Sequence, residues 1–225
     1  MEKLKIIYHS SHDEYINNVV DLIYKSAIKA IEIKGKFHIV LTGGETPKFV
    51  YQKLKLLSTN WAAWEFYISD ERFAPISIVQ LNQLMIRNEF LNHVPVLESQ
   101  IHFIDVEKDL NSAVFTYCES IINIPDFDLT LLGIGEDGHV ASLFPGNDIG
   151  LLDTSPDVLS VNNSPKPPVC RISLSMKRLN KSYKIIIIAS GKQKGKIVHD
   201  LCGGAEVPAK FLKGLEETFL IYCTT

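Results

Sequence analysis

Residues 127–146 read "FDLTLLGIGEDGHVASLFPG". The stretch opens as an apolar run and ends in glycines. A run, rather than strict alternation, reads as a strand buried on both faces. Gly133, Gly135 and Gly138 then have the G-x-G-x-x-G spacing of a dinucleotide-binding turn. That turn needs a helix of about ten or more residues after it, then a strand ending in an acidic residue roughly 20 residues on. Here Pro145-Gly146 cuts any helix short. Asp153 and Asp157 sit in "LLDTSPDVLS", which is not the end of an apolar strand. The loop also follows a late strand, not the first. The spacing therefore predicts no dinucleotide cofactor. It predicts a flexible loop at a strand's carboxyl end, carrying His139 and leading into a short helix that Asp137 caps unless it orients the imidazole.

Outward from this strand the pattern alternates. "KLKIIYH" reads as a strand and residues 11–35 as a helix, with apolar positions Ile16, Val19, Val20, Ile23, Ala27, Ala30 and Ile31 three and four apart. Ser11 with Glu14 is a capping-box pair and Gly35 a stop. "KFHIVLTGG" is an apolar strand ending in glycines, and "TPKFVYQKLKLL" a helix with Thr46 at its N-cap and Pro47 at its first position. Strands follow at 64–70 and 100–105, helices at 81–94 and 109–124. Residues 147–168, with Pro156, Pro165, Pro167 and Pro168, read as an excursion over the surface. Strand and helix patterns resume in "VCRISLSMKRL", "YKIIIIAS", "KQKGKIVHDL" and "TFLIYC". The expected fold is a single α/β domain over 1–225, a mainly parallel, Rossmann-like three-layer sheet with helices on both faces.

The 225 residues suffice for a sizeable core. A net charge of −3 gives no basic field for nucleic acid or an anionic membrane. No apolar run reaches membrane-spanning length, and the first residues lack a signal-peptide core. Cys118, Cys170, Cys202 and Cys223 are too far apart for a zinc knuckle, and His9 and His12 lack recognisable partner ligands. The chain reads as a cytoplasmic protein with reduced thiols, a monomer or weak homodimer.

Ligands of open α/β sheets collect outside the carboxyl ends of the strands. Three loops there carry chemistry. In "TGGETP" (42–47), Gly43 and Gly44 precede a helix start, which makes either an anion site or a plain tight turn. It is not a P-loop, because no Gly-Lys-Ser/Thr follows. In "SDERF" (69–73), Arg72 either holds a phosphate through two parallel hydrogen bonds or belongs to a surface ion-pair cluster with Asp70 and Glu71. In the opening loop, an imidazole titrating near pH 6.5 suits a base at neutral pH. No G-x-S-x-G elbow occurs, so Ser142 is not a serine-hydrolase nucleophile.

Together the loops resemble the 6-phosphogluconolactonase family, of the sugar-phosphate isomerase/deaminase-like superfamily. The resemblance rests on "TGGETP", on "SDERFAP" at 69–75, on Asn82, on "GIGEDGHVASLFPG" at 133–146, on "PVCRISLS" at 168–175 and on "SGKQK" at 190–194. The 133–146 motif is the most specific. The resemblance implies hydrolysis of 6-phospho-D-glucono-1,5-lactone to 6-phosphogluconate in the oxidative pentose phosphate pathway, without metal or cofactor. It implies His139 as the base that activates water and Asp137 as its support. It implies a phosphate and substrate site of Gly43, Gly44, Thr46, Asp70, Arg72, Asn82, Arg171 and Lys194. The partner is then a small sugar-phosphate lactone.

The chain departs from the family pattern at Leu81, where Ser precedes Asn, at Glu45, and in its last strand, "FLIYCTT", which lacks the usual Asp and following helix. Glucosamine-6-phosphate deaminases share the glycine turn and histidine loop, but continue Ala-Phe-Asn-Glu-Pro-Gly. Leu143 and Phe144 occupy the Asn and Glu positions here, which argues against ring-opening and isomerisation. A sugar-phosphate sensor without catalysis is the third possibility, opposed by the intact histidine loop.

Overall fold

The computed structural model describes residues 4–74 and 81–225. Seven strands form one sheet, in the order β1 (Lys5–His9), β10 (Glu217–Cys223), β9 (Ser182–Ser190), β6 (Phe127–Gly133), β2 (Phe37–Leu41), β3 (Trp64–Ile68) and β5 (Ile101–His102). Every pairing in it is parallel. The run reading of the strands holds for a physical reason. β6 is buried at six consecutive positions and β9 at five, so side chains on both faces are covered and no polar face is left to alternate. A single apolar cluster takes in residues of both sheet faces and of the helices, from Tyr15 to Cys223.

The helices that return the chain are α1 (His12–Lys34), α2 (Glu45–Leu54), α3 (Asn82–Glu89), α4 (Leu110–Ile121), α5 (Met176–Asn180) and α6 (Gly195–Cys202). α1 starts and stops where the sequence indicates. The Ser11 side chain accepts from the Glu14 amide, and Gly35 ends the helix at φ 76°. That conformation costs glycine nothing.

Four local expectations need correction. α2 is capped by Gly44 and begins at Glu45, so Thr46 lies inside the first turn. α3 ends at Glu89 and a 3-10 turn continues to His93. The strand expected over 100–105 has only two paired residues, because β5 is the edge of the sheet. The excursion at 147–168 contains β7 (Val158–Val161). β7 joins β8 (Arg171–Leu174) and β4 (Asp70–Arg72) in a second, antiparallel sheet.

Because the main sheet is parallel, the carboxyl ends of β2, β3, β6 and β9 meet at one edge. The small sheet stands beside that edge through β4, which follows β3 after Ser69 alone. No helix forms between Gly133 and Gly146. The loop makes turns, and Ala141 takes the left-handed conformation at φ 49°. A left-handed residue cannot continue a right-handed helix.

Candidate active site

One cleft of about 410 Å³ opens at this edge. It is lined by Gly43, Gly44 and Thr46 from the β2–α2 turn, by Asp70 and Arg72 of β4, and by Asn82 at the start of α3. His139 of the opening loop, Arg171 of β8 and Lys194 beyond β9 complete the set expected from sequence. Asp137 is the one expected residue that does not line the cleft. It lies behind His139 and hydrogen-bonds the imidazole Nδ1 through Oδ1. The same oxygen accepts from the His139 amide at 3.3 Å.

Gly135 explains how this pair fits. A Cβ there would sit 2.0 Å from the His139 Nδ1 and 2.4 Å from the Asp137 Oδ1. The glycine leaves the space that the hydrogen-bonded pair fills. Its amide donates to the His139 carbonyl at 2.9 Å and so closes the loop. Phe144 stands beside the imidazole, with ring centroids 4.8 Å apart.

Burial holds His139 below the ordinary histidine value, although the Asp137 hydrogen bond and charge pull the other way. Burial also raises the Asp137 carboxyl, but its bond to His139 outweighs that and leaves it below the usual carboxylate range. At neutral pH the pair is thus a neutral imidazole beside a carboxylate. An acceptor at Nδ1 puts the ring proton there and leaves Nε2 with a lone pair.

The glycine turn is equally specific. A Cβ on Gly43 would meet the Asn82 Oδ1 at 1.9 Å, so the turn has no side chain because Asn82 lies against it. Gly44 adopts φ 111° and offers no side chain to cap α2. The first turn of α2, at the positive end of the helix dipole, lines the cleft. Glu45 shares this position and works against an anion there.

Glu71 is the residue that sequence reading treats least well. It is 1% exposed, and its carboxylate accepts from the amides of Arg72, Asn82 and Gln83, each at 2.8 Å. It ties β4 to the start of α3 and so sets both Arg72 and Asn82 at the cleft. Burial pushes its carboxyl up to about 7, against the pull of the three amides.

Arg171 sits in the cleft wall, yet its guanidinium donates to the carbonyls of Lys166, Pro167 and Pro168 at 3.2–3.4 Å. It holds the loop that brings Lys166 into the cleft lining. Lys166 belongs to the proline-rich stretch whose sequence reads as an excursion over the surface. Its flanking prolines, which stiffen the backbone, were the available signal. Lys194 lies half-buried. Burial lowers it below the usual lysine range, with Glu136 opposing.

This arrangement defines an α/β protein with a polar, small-molecule-sized site at the carboxyl edge of its sheet. The chain belongs to the glucosamine-6-phosphate isomerase/6-phosphogluconolactonase family, whose family model matches residues 10–220. It is 32% identical over 218 residues to the 6-phosphogluconolactonase of Thermotoga maritima, spanning 95% of this chain and 96% of that one. The crystal structure of a Thermotoga maritima 6-phosphogluconolactonase superposes with a TM-score of 0.88 at 30% identity, covering 97% of this chain and 99% of that chain. A monomeric glucosamine-6-phosphate deaminase superposes with a TM-score of 0.83 at 20% identity over 97% of each chain, a likeness of fold.

Proposed function

We propose that the protein hydrolyses 6-phospho-D-glucono-1,5-lactone to 6-phosphogluconate, the lactonase step of the oxidative pentose phosphate pathway, with His139 as general base. The observation that carries the mechanism is the Asp137–His139 pair at the cleft, with Nδ1 engaged and the ring held neutral by burial. His139 Nε2 takes a proton from water as the water oxygen bonds to the lactone carbonyl carbon. The carbonyl electrons move onto oxygen. When they return, the bond to the ring oxygen breaks and that oxygen takes the proton back from the imidazolium. Asp137 keeps the ring in the right tautomer and stabilises its transient charge.

The phosphate is held by the Gly43–Thr46 turn at the start of α2 together with Arg72 and Lys194, with Asn82 positioning the turn. Arg171 contributes through the Lys166 loop and through its own charge. The lactone is already an activated ester, so orientation and one base supply what the reaction needs.

The family's other chemistry, at glucosamine 6-phosphate, is disfavoured by Leu143 and Phe144. Both are at most 2% exposed, and Phe144 packs on the imidazole where the deaminases carry a carboxylate. The test is loss of freshly made lactone, beside release of ammonia from glucosamine 6-phosphate. Faster lactone loss and no ammonia are expected; the reverse would overturn the reading.

A further inference from the structure

Asp70 lines the cleft, but an anion beside a bound phosphate is repulsive, which asks what its carboxylate is for. Its side chain is already engaged. Oδ2 accepts from the Ser142 hydroxyl at 2.6 Å and Oδ1 from the Ser69 hydroxyl at 3.0 Å. Its main-chain carbonyl accepts from the Asn82 side chain at 3.0 Å.

Ser142 is three residues after His139 and directly follows Ala141. Ala141 is the only non-glycine residue with positive φ among the described residues. A left-handed alanine persists only where its surroundings hold it. Two groups grip the next residue. The Ser142 hydroxyl donates to Asp70, and the Ser142 amide donates to the Ser173 hydroxyl at 3.3 Å. Asp70 and Ser173 are register partners across β4 and β8. The small antiparallel sheet thus forms a socket for one serine of the histidine loop. The socket is buried: Asp70 is 5% exposed, Ser142 1% and Ser173 0%. A hydroxyl bound to a buried carboxylate is shorter and stronger than a neutral pair.

We infer that Asp70 is a positioning residue, acting through Ser142 to hold the strained Val140–Ser142 turn and with it the position of His139, and does not touch the substrate. The kinetic half of this inference rests on the lactonase reading; the spectroscopic half does not.

The kinetic test compares Asp70→Asn, Ser142→Ala and the double variant with wild type. Each single change should lower kcat by about 10- to 100-fold, as expected for a base displaced by a fraction of an ångström to an ångström. KM should stay within about twofold, the pattern of a loss confined to the transition state. The double variant should be no worse than the more damaging single one. A rise in KM for Asp70→Asn without loss of kcat, or singles that multiply in the double, would overturn the inference.

The spectroscopic test follows the His139 imidazole by NMR titration without substrate. Asp137, Asp70 and Lys166 are the charges that act on it, and Ser142→Ala leaves all three in place. Its midpoint should nevertheless rise toward the ordinary histidine value, because a loosened loop is less buried. An unmoved midpoint would overturn the inference. If wild type fails to turn over the lactone, the function reading falls and this titration alone decides. If Ser142→Ala fails to fold, Asp70→Asn decides through its kcat and KM.

Discussion

The first and second glycines of the G-x-G-x-x-G stretch have different jobs, and alanine substitutions separate them. Replacing Gly135 adds a methyl 2.0 Å from the His139 Nδ1. An ordinary contact is about 3.5–4.0 Å, so ring or methyl must retreat by about 1.5 Å or more. The methyl is fixed to a backbone whose amide is hydrogen-bonded to the His139 carbonyl, so the ring must give way. The ring cannot move that far and keep Asp137, whose Oδ1 would itself be 2.4 Å from the new carbon. A misplacement of this size costs about 100-fold in rate. Gly135→Ala is therefore expected to lower kcat on fresh 6-phosphogluconolactone by about 100-fold or more. Gly133→Ala meets nothing within 4 Å and should keep kcat near wild type. Stopped-flow proton release, corrected for spontaneous hydrolysis, measures both, with circular dichroism to check folding. Near-wild-type activity in folded Gly135→Ala would refute the reasoning, since the pair it describes would then not be needed.

The remaining predictions concern charge. The His139 base works when unprotonated and its value is depressed, so kcat/KM should be level from pH 8 to 7 and fall only with a midpoint below 6.5; a midpoint above that would contradict the burial argument. Glu71 is raised to about 7 from an ordinary 4.5, so the folded state binds its proton more tightly than the unfolded state does. Stability should then decline as pH rises from about 4.5 through 7, by about 3 kcal/mol from this one group. Urea unfolding of Glu71→Gln across that range should show a flatter profile than wild type. Lys194→Met should raise KM for the phosphorylated lactone by about tenfold or more, the usual cost of losing a charged hydrogen bond. It should leave the slow turnover of unphosphorylated glucono-lactone unchanged.

Much of this fold was legible because parallel strands buried on both faces advertise themselves as apolar runs. The "YKIIIIAS" run is the plainest case, and β9, paired on both sides, is the interior strand it describes. The glycine, His139 and Arg72 positions were legible for a related reason: in such a sheet, strand ends converge, so motifs far apart in sequence share one edge. The small sheet was not legible. Its strands are three or four residues long, and β7 lies in a stretch dominated by Asn, Ser and Pro, where pairing comes from long-range return of the chain and not from local pattern. The same holds for Lys166, which reaches the cleft only because Arg171 holds its loop by the carbonyls. The expected short helix after His139 fails because Ala141 turns left-handed, a conformation set by the Asp70–Ser142–Ser173 contacts that no nearby residue announces. Glu71 looked like one member of a charged triplet. Its role emerged only with α3 in place, since two of the amides it binds are eleven and twelve residues further along.

The central claim is that His139 activates water for attack on a sugar-phosphate lactone. The most direct measurement is kcat of wild type and of folded His139→Ala on freshly generated 6-phospho-D-glucono-1,5-lactone at neutral pH. The account predicts a loss of about 10²–10⁴-fold, the usual worth of general-base help, with KM little changed. A variant that hydrolyses the lactone as fast as wild type would contradict it.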